Sequence, residues 1–250
     1  QVAFYGSTRS IHAMSVRLAL LNAAHDAEHN RRNFRREVDA DLVEFHVTEG
    51  ELPEGFAFDG CLVTGSRASV YWDEPWIDDL ASWVGEAIDR DVPFLGVCFG
   101  HQLLAHALGG TVAPMDGYEI GYRTVEHDGT NPLLDGVSEE FTVFTTHSDH
   151  VASLPPGATE FARNDYGVHG FRDGDVFAVQ FHPEYDPRTA EDVASGKDLP
   201  DERIERVLDG ITAENYRAAC EAKRLFDNFT DYVRGRQITG GEGERVAGDD

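Results

Sequence analysis

The sequence predicts a three-layer α/β domain with a mostly parallel central sheet and a helical C-terminal extension. Short apolar runs alternate with amphipathic stretches through the first half of the chain, as they do in βαβ units. The run Cys61-Leu62-Val63 is apolar at consecutive positions, which a parallel strand covered by helices on both faces requires. After Pro187 the chain becomes polar and shows helical periodicity.

The predicted elements follow in order along the chain. Strands are expected at residues 2–5, 42–47, 60–64 and 93–98, and helices at about 14–25, 75–90 and 100–108. Pro75 suits the first turn of its helix, and Gly109-Gly110 ends the third helix. Four shorter strands are expected next, at residues 141–145, 159–162, 168–172 and 176–181.

One domain is expected over residues 1–235. It includes a helical insert at 186–212 and a long C-terminal helix at 213–234. Residues 236–250 are predicted to be a flexible tail, because the end of the chain is rich in glycine and almost free of apolar side chains.

The composition limits the partners that the chain can have. Its 46 acidic and 21 basic residues give a net charge of −25, a field that repels phosphate backbones and argues against nucleic acid. No stretch approaches the roughly 18 apolar residues of a membrane span, and the first five residues read as a strand rather than a leader. We therefore expect a soluble protein without a membrane partner.

The acidic, lysine-poor composition resembles that of proteins from salt-loving archaea. Lys197 and Lys223 are the only lysines in the chain. The alternative is an ordinary, mildly acidic protein with no requirement for salt. Three widely spaced cysteines fit a reducing cytoplasm better than a disulfide framework, and their spacing offers no paired zinc ligands. Neither a metal nor another cofactor is expected.

The segment Gly96-Val97-Cys98-Phe99-Gly100-His101-Gln102 is the most informative in the chain. An apolar strand ends at Cys98 and a helix begins directly after it, with small residues where a sharp strand-to-helix turn needs them. The thiol then faces the positive end of a helix, which favours the thiolate. The amide of Phe99 is a candidate donor to an oxyanion. A buried structural cysteine is the alternative.

A cysteine nucleophile needs a base and a group that orients the base. His182 directly follows the apolar strand predicted at 176–181, and Glu184 lies two residues further on. Glu184 is placed to hold one tautomer of the imidazole. The His-x-Glu pair is specific only in combination with Cys98.

These motifs resemble the class I (triad-type) glutamine amidotransferase family. The family has Gly-x-Cys-x-Gly-His-Gln at the nucleophile and His-Pro-Glu near the end of its sheet, and both occur here in that order. The resemblance covers about residues 1–185 plus the last long helix. It implies a flavodoxin-like fold and a triad of Cys98, His182 and Glu184, which hydrolyses the γ-carboxamide of glutamine through a cysteinyl thioester.

The resemblance also implies an oxyanion hole and a substrate-binding segment. The hole would use Gly65, Ser66 and Phe99, although Ser66 stands where the family usually has a second glycine. The loop at 145–151 resembles the family's His-x-Asp-x-Val segment. The residues expected at the substrate are Gln102, Thr146, Ser148 and Asp149. Glu119-Ile120-Gly121-Tyr122 resembles an element of the subgroup related to the GMP synthase glutaminase domain.

Three functions remain open. No nucleotide-binding loop is present, so a separate synthetase subunit would receive the ammonia. Alternatively, the chain acts alone on γ-glutamyl compounds, as relatives resembling γ-glutamyl peptidases do, with the 186–212 insert shaping the pocket. The third possibility is a catalytically silent binding module on the same fold, in which Ser66 blocks the oxyanion hole.

Other residues are candidates for lesser roles. The basic cluster of Arg31, Arg32, Arg35 and Arg36 would either dock an acidic partner or pair with local carboxylates. His25 and His29 have the spacing of a zinc pair, but no third ligand is evident.

We expect the fold to depend on salt, because carboxylates that repel one another need screening. Dialysis from about 2 M KCl into dilute buffer should abolish the helical circular dichroism signal, whereas a fold that is fully retained there would contradict the halophilic interpretation.

Overall fold

The structure, a computed structural model, describes residues 15–243. Nine strands form a single sheet within this range. In chain order the strands are β1 (Arg17–Asn22), β2 (Asp41–His46), β3 (Gly60–Val63), β4 (Phe94–Val97), β5 (Thr111–His127), β6 (Glu140–Ser153), β7 (Thr159–Asn164), β8 (Gly167–Asp173) and β9 (Val176–Val179). Their order across the sheet is β2-β1-β3-β4-β9-β8-β7-β5-β6.

Helices cover both faces of the sheet. They are α1 (Glu28–Glu37), α2 (Pro75–Ile88), α3 (Phe99–Ala107), α4 (Pro187–Ser195), α5 (Asp201–Asp209), α6 (Ala213–Ala219) and α7 (Arg224–Gly243). Short 3₁₀ turns lie at Val47–Glu49, Pro132–Leu134 and Cys220–Lys223. The predicted strands at 42–47, 60–64 and 93–98 and the predicted helices at 75–90 and 100–108 are confirmed to within a few residues. The strand predicted at 2–5 lies outside the described residues.

Two apolar cores lie on opposite faces of the sheet. Leu18 and Leu20 of β1 pack in the core beneath α1 and α7, whereas Ala19 and Leu21 pack in the core beneath α2 and α3. Alternate side chains of a strand point to opposite faces. A strand between two helical layers is therefore apolar at every position, and the three-layer architecture follows.

The helix predicted at 14–25 is wrong, because residues 17–22 form the strand β1. Leucine and alanine favour helices, but periodicity cannot distinguish a short continuous apolar run in a buried strand from a buried helix. Burial between two parallel neighbours decides the outcome, since β1 pairs with both β2 and β3.

The sheet is also less parallel than expected. The pairings from β2 through β1, β3 and β4 to β9 are parallel. Those from β9 through β8, β7 and β5 to β6 are antiparallel, so parallel and antiparallel pairings are equal in number. From β5 to β9, consecutive strands are joined without a crossover α-helix, as by the turn at Asp173–Val176, and such connections permit antiparallel pairing.

The C-terminal extension differs in detail from the single helix predicted at 213–234. A 3₁₀ turn at Cys220–Lys223 separates α6 from α7. The helix α7 continues to Gly243, so residues 236–243 are helical where the glycine-rich composition predicts a flexible tail. Phe226 and Phe229 of α7 are buried against the sheet, and this packing anchors the helix.

The turn that contains Cys98 depends on a close approach between backbones. A Cβ atom on Gly100 of α3 would lie 2.3 Å from the carbonyl oxygen of Val63, and one on Gly96 would lie 2.5 Å from the Gly100 backbone. No side chain fits at either position, because real Cβ contacts do not occur below 3.0 Å. The two glycines therefore allow α3 to start directly over the ends of β3 and β4.

Gly100→Ala should destabilise the fold by about 3 kcal/mol or more, because the added methyl group overlaps backbone atoms that cannot move away. Gly85→Ala is the matched control, since nothing lies within 4 Å of its added Cβ in α2. This control should gain roughly 0.5–1 kcal/mol from improved helix propensity. Urea unfolding measures the stability of both variants. Equal stabilities for Gly100→Ala and Gly85→Ala would contradict the role of Gly100.

Candidate active site

Cys98 occupies a strained turn between β4 and α3. Its φ of 55° and ψ of −100° lie outside the regions that side-chain-bearing residues normally adopt. Within residues 15–243, Asp91 is the only other non-glycine residue with a positive φ. The amide of Cys98 donates to the Val179 carbonyl at 2.9 Å, so the neighbouring strand β9 holds the turn in place. Strain of this kind costs about 1–3 kcal/mol and is concentrated at functional sites.

His182 and Glu184 follow β9, the strand beside β4. The Nδ1 atom of His182 lies 2.8 Å from the Oε1 atom of Glu184, and both side chains are almost fully buried. The ring of Tyr185 stacks on the imidazole with the centroids 4.1 Å apart. With Nδ1 engaged, Nε2 is the nitrogen that remains to exchange protons with the thiol.

The electrostatic surroundings favour a charged imidazole. Burial by itself lowers the pKa of His182, but the charges of Cys98 and Glu184 and their hydrogen bonds outweigh burial and raise the pKa to about 10. A histidine with this pKa holds a proton at neutral pH and stabilises a neighbouring thiolate. The arrangement suits a thiolate–imidazolium pair.

The predicted oxyanion-hole residues lie against the triad. A Cβ atom on Gly65 would be 2.8 Å from Cε1 of His182, so only glycine fits at this position. Ser66 is accommodated without a left-handed backbone, and its hydroxyl accepts a hydrogen bond from the Ala68 amide at 3.1 Å. The hydroxyl is thus engaged by its own loop. Phe99 is the first residue of α3, where amides lack intrahelical acceptors.

The predicted substrate-binding segment is part of a strand and not a loop. Residues 145–151 belong to β6, and Thr146 and Asp149 line a cavity of about 100 Å³ together with Cys98. The Asp149 carboxylate accepts from the hydroxyls of Ser69 and Tyr71, the latter at 2.8 Å. These hydrogen bonds connect β6 to the segment 69–71, which follows the predicted oxyanion-hole residues in the chain. Ser148 is exposed at the cavity wall.

Gln102 connects this segment to the sheet. Its amide nitrogen donates to the Asp149 carbonyl at 3.0 Å and to the Gln180 side-chain oxygen at 3.1 Å. Nδ1 of His101 lies 3.1 Å from the same oxygen, and burial is the main reason why the pKa of His101 falls to about 3. Gln102 lines the cavity that contains Cys98, and its contact with glutamine stays a prediction.

Behind this segment lies a buried cluster that sequence reasoning did not predict. Oε2 of Glu119 is 2.6 Å from Nε2 of His147 and 3.1 Å from Nε2 of His169, and Oε1 accepts from Asn164 at 2.7 Å. Nδ1 of His147 faces the Asp149 carbonyl at 2.9 Å and must donate to it. Both nitrogens of His147 are therefore engaged, Nε2 with the Glu119 carboxylate and Nδ1 with the Asp149 carbonyl.

The same three residues are the metal-ligand candidates among residues 15–243. Their ligand atoms lie within 4.8 Å of one another. Direct hydrogen bonds already use both oxygens of Glu119, so the arrangement fits a hydrogen-bonded ion pair better than a cation site. The sequence signal was the Glu119-Ile120-Gly121-Tyr122 element, but nothing in it revealed the histidine partners.

The basic cluster of α1 supports the His182 loop. Arg32 and Arg36 bond the carboxylate of Asp186 at 2.8 and 3.0 Å, and Arg36 also donates to the Glu184 carbonyl at 2.6 Å. Arg31 pairs with Glu44 at 2.7 Å. Of the two alternatives for this cluster, pairing with local carboxylates is the one the structure shows.

Within residues 15–243, the minor histidine candidates His25 and His29 belong to no group of three metal-ligand candidates. His29 lies 3.7 Å from Asp192, and His25 contacts the edge of Trp76. Cys61 is fully buried in β3, where burial raises the pKa of its thiol. Within residues 15–243, no helix combines the length and apolar character that a membrane crossing needs.

The sequence around this site matches a known protein family. Residues 23–195, well over half of the chain, match the family model described as glutamine amidotransferase class-I. The chain belongs to the class-I glutamine amidotransferase family. This agrees with the position of Cys98 at the end of β4 and of His182 after β9.

Sequence relatives of this glutamine amidotransferase include two glutamine-hydrolyzing GMP synthases. The Thermomicrobium roseum protein is 40% identical over 126 residues, which are 50% of this chain and 23% of the relative. The Campylobacter jejuni protein is 33% identical over 157 residues, or 62% of this chain and 30% of the relative. The chain thus spans less than a third of the length of these relatives.

Solved structures share the fold. A glutamine amidotransferase from Thermotoga maritima superposes with a TM-score of 0.72 at 23% identity, over 88% of this chain and 98% of that one. A chain from Thermoplasma acidophilum, described as one subunit of a putative GMP synthase, has a TM-score of 0.63 at 22% identity, over 90% and 98% of the two chains.

Glu119 should make the fold sensitive to acid. Burial alone raises its pKa, but the hydrogen bonds and charges of His147 and His169 outweigh burial and lower the pKa to about 2. A depressed pKa contributes stability that is fully present above the unfolded-state value of about 4.3 and is lost as the pH falls towards 2.

Glu119→Ala should therefore cost about 3–5 kcal/mol at pH 7, because it leaves two buried histidines without the carboxylate that contacts both. The free energy of unfolding of Glu119→Ala should fall less than that of the parent between pH 5 and pH 3. Denaturant titrations at each pH measure both effects. Glu126→Ala, an exposed glutamate on the same strand, is the control. Parallel pH curves for Glu119→Ala and the parent would contradict the ion pair.

Proposed function

We propose that this chain hydrolyses a γ-glutamyl amide through a cysteinyl thioester, with glutamine as substrate and ammonia as the product passed to a separate synthetase subunit. The observation that carries the proposal is the pairing of a strained Cys98 with a buried His182, whose Nδ1 atom is held 2.8 Å from Glu184. The similarity to glutamine-hydrolyzing GMP synthases supports glutamine as the amide donor.

In the first half of the reaction, the Cys98 thiolate attacks the γ-carbonyl carbon of the substrate. The carbonyl π electrons move to oxygen, and the amides of Ser66 and Phe99 donate to the oxyanion. The protonated Nε2 of His182 then transfers its proton to the amide nitrogen as the carbon–nitrogen bond breaks. Ammonia leaves, and a thioester joins Cys98 to the glutamyl group.

In the second half, neutral His182 removes a proton from water, and the resulting hydroxide attacks the thioester carbon. The tetrahedral intermediate collapses with the carbon–sulfur bond breaking, so glutamate leaves and the Cys98 thiolate returns. His182 ends the cycle protonated, as it began. Glu184 keeps Nδ1 protonated and the ring oriented throughout, and Arg36 supports Glu184 through its backbone carbonyl.

The oxyanion-hole loop favours an active enzyme over a silent module. A blocked hole is the reason to consider a silent module, because Ser66 replaces a glycine. The Ser66 hydroxyl instead bonds the amide of Ala68, and its backbone adopts an ordinary conformation. Its amide therefore remains available for an oxyanion.

A γ-glutamyl hydrolase that acts alone is the second candidate. A cavity of about 300 Å³ lies on the His182 side of the site, lined partly by α4 and by the chain that leads into α1. Ammonia is close in size to water, which takes about 30 Å³ in the liquid. The cavity is thus several times larger than an ammonia leaving group needs, and it favours a γ-glutamyl amide with a larger amine.

Cys98→Ala should lower glutamate release by at least about a thousandfold, because no other group can form the thioester. Glu184→Gln should cost less, about a hundredfold, since the imidazole remains but its orientation and charge are less well supported. The measurement is the release of glutamate and ammonia from glutamine and from a γ-glutamyl dipeptide in molar KCl. Persistent activity in Cys98→Ala would remove the proposed nucleophile.

The turnover of glutamine relative to that of the γ-glutamyl dipeptide decides between the candidate functions. Turnover of the dipeptide by this chain alone supports the γ-glutamyl hydrolase. If neither substrate is turned over but a glutamine-like electrophile still alkylates Cys98, the result supports a synthetase partner that activates the site. If neither turnover nor alkylation of Cys98 is observed, the result supports the catalytically silent binding module.

A further inference from the structure

Two cations stand where the two cavities of the active site meet. Arg67 and Lys197 line the cavity of about 100 Å³ that contains Cys98, and they also line the cavity of about 300 Å³ beside His182. Arg67 follows the oxyanion-hole loop in the chain. Lys197 comes from the segment 186–212, directly after α4.

Neither cation has a carboxylate partner within the described range. No side-chain oxygen of an aspartate or glutamate in residues 15–243 lies within 4.0 Å of the charged nitrogens of Arg67 or Lys197. Nearby Arg31, Arg32 and Arg36, in contrast, all form ion pairs. In a chain with a net charge of −25, carboxylates greatly outnumber the cations that could pair with them. Two unpaired cations at the active site are thus positioned for an anion that binds there.

Neighbouring groups hold both cations in place. A Cβ atom on Gly196 would lie 3.3 Å from a terminal guanidinium nitrogen of Arg67, so this group rests against the backbone just before Lys197. The Lys197 ammonium lies 5.2 Å from the ring centroid of Tyr118, a cation–π distance. Tyr118 bonds Thr146 of the substrate-binding segment at 3.1 Å, and Arg203 of α5 donates to its carbonyl.

The acidic groups around these cavities are engaged elsewhere. Asp149 accepts from Ser69 and Tyr71. Asp192, on the wall of the larger cavity, lies 3.7 Å from His29 and 3.8 Å from Arg188. Asp26, on the same wall, accepts from the Glu28 amide. The acidic side chains of both cavities therefore have partners other than Arg67 and Lys197.

We propose that Arg67 and Lys197 together bind a carboxylate of the substrate at the junction of the two cavities. The inference rests on the proposed hydrolysis of a γ-glutamyl amide at Cys98. Two carboxylates have this chemistry: the α-carboxylate of the glutamyl group, and the carboxylate of an amino acid that leaves from a γ-glutamyl dipeptide. In either case, the segment 186–212 contributes a specificity residue through Lys197.

Binding to the Cys98→Ala protein tests this site without requiring turnover. The probes are glutamine, glutamine with its α-carboxylate converted to an amide, and γ-glutamylglycine, each titrated calorimetrically at one KCl concentration. Arg67→Gln and Lys197→Gln in this background should weaken binding of a carboxylate-bearing probe at least tenfold. Arg188→Gln, a nearby exposed cation on α4 that lines neither cavity, should leave binding unchanged.

The pattern across the probes identifies the carboxylate. Weakened binding of glutamine but not of its α-amide assigns the site to the glutamyl α-carboxylate. Weakened binding of γ-glutamylglycine alone assigns it to the leaving amino acid. Equal effects on all three probes, no effect, or no binding of any probe to the parent would overturn the proposal.

The hydrolysis assay separates this outcome from that of the proposed function. If the Cys98 protein turns over its substrates while Arg67→Gln and Lys197→Gln leave the KM for glutamine and the KM for γ-glutamylglycine both unchanged, the carboxylate site fails and hydrolysis stands. If the probes bind through both cations without any turnover, the site stands and hydrolysis by this chain alone fails.

Discussion

The structure depends on the contact between the start of α3 and the ends of β3 and β4. Gly96 and Gly100 allow backbone to touch backbone there, which leaves Cys98 with a positive φ at the carboxyl edge of the sheet. Everything else in the site is placed relative to this turn. His182 arrives from β9 because β9 pairs with β4, and Gly65 arrives from β3 for the same reason. Strand pairing thus assembles residues that are distant along the chain.

Three sets of carboxylate hydrogen bonds then stabilise this arrangement. Glu184 holds His182, Glu119 holds His147 behind the segment of β6 that contains Thr146 and Asp149, and Asp186 receives the arginines of α1. The Glu119 and Asp186 sets join elements that the apolar cores alone would leave free to shift, because apolar contacts have little directionality. Charged hydrogen bonds in a buried environment are directional, and leaving one partner unpaired is costly. The site therefore gains orientation from ion pairs and position from the sheet.

The segment 186–212 lies beside the candidate active site. Its helix α4 walls the larger cavity, α5 reaches Tyr118 through Arg203, and Lys197 lies between the two helices. The oxyanion-hole loop contributes Arg67 directly beside it. A chain this acidic attracts few anionic ligands from solution, so local cations are needed wherever a carboxylate is to bind.

The sequence by itself determined the nucleophile turn, the His-x-Glu pair and most strands, because these features are local: glycines at a tight turn, apolar runs, and motifs of a few adjacent residues. The tertiary structure decided the rest. It made residues 17–22 a strand, since burial between two neighbours overrides the helix propensity of leucine and alanine. It also joined Glu119 to His147 and His169, and it placed Lys197 and Arg67 on the walls of the same two cavities. Those contacts span tens of residues, and their partners are set by sheet order and packing, which no local pattern encodes.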